Sequence, residues 1–171
     1  EASISPMPNN NVLWVARDIT ERKQGERELR ETKILLEKTF ASLDQAVFVI
    51  MGKDRRVVAC NPAVKRIFGY REYEIVGHDT EFMYANLADY QQYPLKLISA
   101  LDAHSAYHTE VELRRKDGTI FPAEVIETGI LNDEGVRTGV VSVIRDITER
   151  KHAEEKLTYL STHDGLTGLY N

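Results

Sequence analysis

The sequence predicts an α+β domain in which meandering antiparallel strands carry helices on one side. Three observations lead there. Strand-like runs occur first as a pair and later as a set of three, with short helical stretches between them. Gly-, Asn- and Asp-bearing turns separate the runs, which sets hairpin registers. Finally, Val15-Ala16-Arg17-Asp18-Ile19-Thr20-Glu21-Arg22-Lys23 recurs as Val143-Ile144-Arg145-Asp146-Ile147-Thr148-Glu149-Arg150-Lys151, 128 residues later. A repeat at that distance is one structural unit used again, the size of a small domain plus a linker.

The repeat sets the borders. Glu1-Ala2-Ser3-Ile4-Ser5 faintly resembles Glu124-Val125-Ile126-Glu127-Thr128, so residues 1–20 read as the closing strands of a preceding copy. The chain is therefore expected to be a piece of a longer protein. A coincidental start is the alternative for residues 1–10. Asp18 with Glu21, and Asp146 with Glu149, have capping-box spacing; alternatively Thr148 is the N-cap. Either way helices begin there. Residues 21–43 form a linker helix, with Leu29, Leu36 and Leu43 seven apart, Phe40 beside them and Lys33 interrupting. That is a short coiled-coil-like seam. The exit helix spans 148–161, with Ala153, Leu157 and Leu160 on one face. Each helix alternatively packs on its own domain.

Between them lies the core domain, 44–147. Ala46 to Met51 is β-rich, turns at Gly52-Lys53-Asp54, and returns as Arg55 to Cys60. Asn61-Pro62 reads as an N-cap followed by a first-turn proline, and Gly69 closes that short helix. Val64, Ile67 and Phe68 give its buried face. Another short helix fits 72–76, closed by Gly77. A longer helix is placed from Pro94, with Leu95, Ile98 and Leu101 as its apolar stripe. Thr109–Arg115, Thr119–Thr128 and Arg137–Ile147 then make three strands, turning at Lys116-Asp117-Gly118 and at Asn132–Gly135.

Composition bounds the function. The 171 residues suit one domain with appendages, and 42% hydrophobic with 29% charged residues is globular. A net charge of -5 gives no basic footprint for nucleic acid. The longest apolar run, Ala46–Met51, is far short of a membrane span. The single cysteine, Cys60, excludes an internal disulfide, so a reducing, cytoplasmic setting is the simpler expectation.

Asn61-Pro62-Ala63, Ile67-Phe68-Gly69-Tyr70 and Glu74-Ile75-Val76-Gly77, in order, resemble the helical start of a PAS domain. Arg115-Lys116-Asp117-Gly118-Thr119-Ile120-Phe121-Pro122 with Arg145-Asp146-Ile147-Thr148 resembles its C-terminal half. The resemblance covers about residues 40–150. It implies a five-stranded antiparallel sheet whose concave face, closed by helices, holds a ligand pocket. It also implies that Asp146, Ile147, Thr148 and Arg150 relay signals from sheet to helix. The bland alternative for Asp146 and Arg150 is a solvated pair four apart. Residues 162–171, through Asp164 and Leu166-Thr167-Gly168-Leu169, resemble the opening of diguanylate cyclase domains. The catalytic loop of that family is absent here, so no catalysis is expected of this chain.

The expected pocket is small and largely apolar. Its walls are Phe48, Ile50, Asn61 and Ile67, then Leu95, Ile98 and Leu101 from the long helix. Val111, Leu113, Val125 and Val141 come from the sheet, with Ser142 and Thr128 as polar contacts. No cofactor is identified. A light-sensing PAS domain carries its cysteine after the Asn, whereas Cys60 precedes Asn61, which argues against a covalent flavin. No histidine falls within Leu95–Leu101, which argues against haem and leaves only His78 or His104 as ligands. No cluster has metal-ligand spacing. The sequence thus leads to a sensory module that forms a homodimer through its helices, binds an unidentified small apolar or mixed ligand, and signals to a cyclase output. A ligand-free structural spacer and a histidine-kinase output are the alternatives.

Overall fold

The computed structural model describes the backbone of residues 2–7 and 11–16, and all of 18–92 and 106–162. The chain divides into two units, Glu1–Ser42 and Leu43–Asn171.

In the first unit, β1 (Ala2–Met7) pairs antiparallel with β2 (Asn11–Ala16) as a two-stranded sheet. Helix α1 (Thr20–Ser42) follows. The Asp18 carboxylate accepts the Thr20 N–H at 2.9 Å, satisfying a helix-start donor. Arg22–Glu26, Arg27–Glu31 and Lys33–Glu37 pair one turn apart along α1. No α1 residue is buried, and Leu29 and Leu36 are 72% and 65% exposed.

The second unit is built on one sheet. Its strands are β3 (Ala46–Met51), β4 (Arg56–Cys60), β5 (Tyr107–Arg114), β6 (Ile120–Leu131) and β7 (Arg137–Asp146). Their order is β4-β3-β7-β6-β5, antiparallel throughout. The last strand is thus the central one. Between β4 and β5 lie α2 (Ala63–Phe68), two 3-10 turns (Glu72–Glu74 and Glu81–Met83) and a helical stretch at 87–92. Helix α3 (Thr148–Thr162) leaves the end of β7.

Period-two alternation puts one apolar set on the helix-covered face. Phe48 and Ile50 from β3, Leu113 from β5, Phe121, Ala123 and Val125 from β6, and Ile144 from β7 are buried together. Val64 and Phe68 of α2 close over them. Phe68 stacks edge-on against Phe48 and Phe121, with centroids 5.6 and 5.5 Å away. Gly69 ends α2 at φ 82 with its N–H on the Lys65 carbonyl, as the sequence led us to expect. Gly139 has a different reason. A Cβ there would run into the Ile50 carbonyl and the Met51 sulfur, so β7 and β3 can approach this closely only over glycine.

Local signals mislead at two points. Asn61 is no N-cap: Pro62 occupies that position without a side-chain cap bond. The Asn61 side chain instead ties β3 down, as described below. The helix ahead of Pro94 already begins at residue 87, because Asn86 accepts the Asp89 N–H at 2.9 Å and so starts it. Leu95, Ile98 and Leu101 lie outside the described residues.

Because Glu1–Ser42 is a separate compact unit, deleting residues 1–20 should leave the main melting transition within a degree or two, well below the shift that about 1 kcal/mol produces. Differential scanning calorimetry of both chains measures this. A large fall would place the hairpin inside the core domain.

Candidate functional site

Two places in the second unit combine polar side chains with unusual burial. The first is the junction where β7 becomes α3. Asp146, the last residue of β7, accepts the Thr148 backbone N–H at 2.9 Å and its hydroxyl at 2.6 Å through one oxygen. The Arg115 guanidinium bonds its other oxygen. Arg115 also donates to the Ile67 carbonyl of α2 and lies 3.9 Å from the Phe121 ring centroid. Burial raises the Asp146 pKa, but the bonds from Thr148 and Arg115 outweigh that and hold it below the usual carboxylate range. Ile147 is buried and donates its N–H to the Pro122 carbonyl.

Arg150 does not pair with Asp146, although the four-residue spacing suggested it. It reaches back to Glu110 of β5 at 2.5 Å, and Lys151 meets the other oxygen of Glu110 at 2.6 Å. These bonds hold the Glu110 carboxyl below its ordinary pKa. The start of α3 is therefore fixed to β7 by Asp146 and to β5 by Glu110.

The second place is the inner face of the sheet. Val111, Leu113, Val125 and Ser142 converge there with Met83, Tyr84 and Ile144 around a cavity of about 10 Å³, room for one water. Glu127 points into the same space. It is 4% exposed, and its Oε2 has no hydrogen-bond partner. Ser142, opposite it on β7 and 1% exposed, bonds the carboxyl. Burial pushes the Glu127 pKa up to about 7, opposed by the Ser142 bond and the nearby Arg55 charge. Arg55 holds a left-handed backbone, φ 52. It donates to the Tyr84 hydroxyl at 2.9 Å and to the Tyr90 carbonyl at 3.2 Å. Burial likewise pushes Tyr84 up to about 12.

Several residues expected at the pocket stand elsewhere. Val141 and Thr128 face the opposite side of the sheet, because Ser142 and Glu127, their neighbours along the strand, face inward. Asn61 is buried but engaged: its Oδ1 accepts the Val47 N–H, and its Nδ2 donates to the Gln45 and Leu43 carbonyls. Phe48 is core, and Ile67 packs half-buried against it. Ile50 lines an open cleft at the far end of β3. Cys60 is buried at a strand end, where desolvation pushes its thiol pKa up. His78 is exposed, and His104 lies outside the described residues. Among the described residues no three His, Cys, Asp or Glu side chains group as a metal site, and no helix is long and apolar enough to cross a membrane.

Glu127, Arg55, Arg115 and Glu110 were not read from the sequence as site residues. Alternation along β6 carried the signal for Glu127, since it keeps step with Phe121, Ala123 and Val125.

The second unit thus joins an antiparallel five-stranded sheet, helices over one face and a helix launched from the central strand. The chain belongs to the PAS domain family, whose model matches residues 44–149. It is similar to a probable diguanylate cyclase, DgcE, of Escherichia coli, 27% identical over 94% of this chain and 14% of that protein. Sporulation kinase E of Bacillus subtilis is 27% identical over 86% of this chain and 19% of the kinase. The chain thus spans less than a fifth of either relative. A PAS domain from Colwellia psychrerythraea superimposes with a TM-score of 0.64 at 21% identity, covering 70% of this chain and 99% of that one, and shows the shared fold.

The raised Glu127 value has a consequence for stability. Its folded pKa, about 7, exceeds the ordinary 4.5, so the folded state loses stability as pH climbs between these values and then holds level. Glu127→Gln should therefore be the more stable protein at about pH 8, by on the order of 3 kcal/mol at most, and should match wild type near pH 4. Melting curves across that range measure it. Parallel curves for the two proteins would show that Glu127 is not desolvated.

Proposed function

We propose that this chain is a PAS sensory module that relays a pocket or interface signal through α3 to a diguanylate cyclase output domain. The observation that carries the reading is the shared carboxylate of Asp146. It ends the central strand, is held by Arg115, and satisfies the first donors of α3. A change on the inner face that moves β7 therefore moves the helix start with it. Such a change must stabilise two arrangements differently to act as a signal.

The cyclase output rests on the resemblance of residues 162–171 and on the likeness to DgcE. Cyclases of that kind need two nucleotide-loaded domains face to face, so the module acts as a dimer. Exposed Leu29 and Leu36 of α1 suit helix pairing with a second copy. The setting is then cytoplasmic, where nucleotide is supplied. The likeness to sporulation kinase E keeps a kinase output as a second reading. The small inner cavity favours a third, in which the module is a spacer that sets dimer geometry without a ligand.

In the protein carrying this module, Asp146→Ala should uncouple cyclic di-GMP synthesis from the sensory input. The domain should stay folded, since loss of such a cap costs about 0.5–2 kcal/mol. Cyclase activity and melting temperature, measured together, test this. Unchanged regulation would remove Asp146 from the relay, and phosphohistidine formed from ATP instead of cyclic di-GMP from GTP would assign the kinase output.

A further inference from the structure

Beside Glu127 the inner face opens into a cleft of about 740 Å³, within the range of small-molecule sites. Its floor is apolar, formed by Ile50 and Met51 of β3 and Val140 of β7. Among the described residues three cations line it: Lys53 and Arg55 from the β3–β4 turn, and Arg137 from the start of β7. Among the described residues none of the three forms an ion pair; Arg55 hydrogen-bonds the neutral oxygens of Tyr84 and Tyr90, with the Glu127 carboxyl near its charge. Glu127 lines both this cleft and the small inner cavity.

We infer that this cleft binds a small monocarboxylate with an apolar body, its anionic group held by the cations of the rim and by Glu127 in the neutral acid form. The inference rests on the sensory reading and names the ligand class for it. Charge decides between candidates. An amine would meet three cations and one buried acid, whereas a carboxylate meets a lining in which cations outnumber the acid among the described residues. A neutral Glu127 donates its proton to a ligand oxygen, which supplies the bond its Oε2 lacks. An ionised Glu127 would repel the same ligand.

The proton linkage follows from the groups around Glu127. Arg55 favours its ionised form, and burial opposes it. Ser142 faces it from β7, Tyr107 lies across from it on β5, and Lys53 and Arg137 line the same cleft; burial keeps the Tyr84 hydroxyl neutral. A bound carboxylate adds negative charge and raises the Glu127 pKa further, so binding takes up a proton. Affinity must then rise as pH falls through about 7.

Titration calorimetry of the full chain with octanoate, octylamine and octanol tests this. Octanoate should bind best, and roughly tenfold tighter at about pH 6 than at about pH 8. Glu127→Gln, neutral at every pH, should keep binding but lose the pH dependence. Arg137→Gln should weaken octanoate about tenfold and leave octanol unchanged, a loss on the scale of one charge-assisted contact. Equal or tighter binding of octylamine, or a pH dependence that survives in Glu127→Gln, would overturn the carboxylate assignment. If octylamine or octanol binds at least as tightly as octanoate and changes hydrogen exchange at the start of α3, the sensory reading stands while the ligand class falls. If none of the three binds the folded chain at millimolar concentration, the carboxylate inference is wrong, and the relay through Asp146 remains to be judged by its own variant.

Discussion

Arg115 sits where three parts of the domain meet. Its guanidinium bonds the carbonyl of Ile67 in the helical layer, the carboxylate of Asp146 at the end of the central strand, and covers the Phe121 ring from the sheet. A planar group with five donors in fixed directions can serve two acceptors and an aromatic face at once, which an ammonium cannot. The hairpin carrying Arg115 is itself held, since the Arg115 N–H bonds the Thr119 carbonyl and the Lys116 N–H bonds the Phe68 carbonyl. The helix layer, the β5–β6 hairpin and the exit helix are therefore set by one half-buried cation. Removing one partner leaves the other charge without its compensation.

The inner face is constrained differently. Apolar packing holds most of it, but Glu127 interrupts β6 with a carboxyl that Ser142 only half satisfies. Apolar replacement at that position would give a quieter core. The acid makes the sheet's interior sensitive to charge in a way that an all-apolar pocket is not.

Much of the fold was legible because it rests on local grammar. Turn residues at Lys116-Asp117-Gly118 and Asn132–Gly135 marked the hairpins, while Phe48, Ile50, Leu113 and Val125, expected as pocket walls, are buried in the core. The site was less legible. Adjacent Val141 and Ser142 cannot share a face, nor can Thr128 and Glu127, and the sequence alone does not set which member of each pair turns inward. The Asp146 and Arg150 partners lie 31 and 40 residues away, at Arg115 and Glu110, where no local spacing points. Asn61 has cap chemistry, yet its side chain serves the backbone of β3 instead.

The position of β7 has a consequence for how the molecule comes into being. It is the last strand made and the middle strand of the sheet, pairing with β3 on one side and β6 on the other. During synthesis the β3–β4 and β5–β6 hairpins must wait as separate pieces, each with an unpaired edge, until β7 is inserted between them. Such late, long-range pairing slows folding and makes it all-or-none. The same strand launches α3, so the helix acquires a fixed origin only at the moment the sheet closes. Whatever follows α3 in a longer chain is then born onto a domain that has already finished folding, or onto one that has not folded at all.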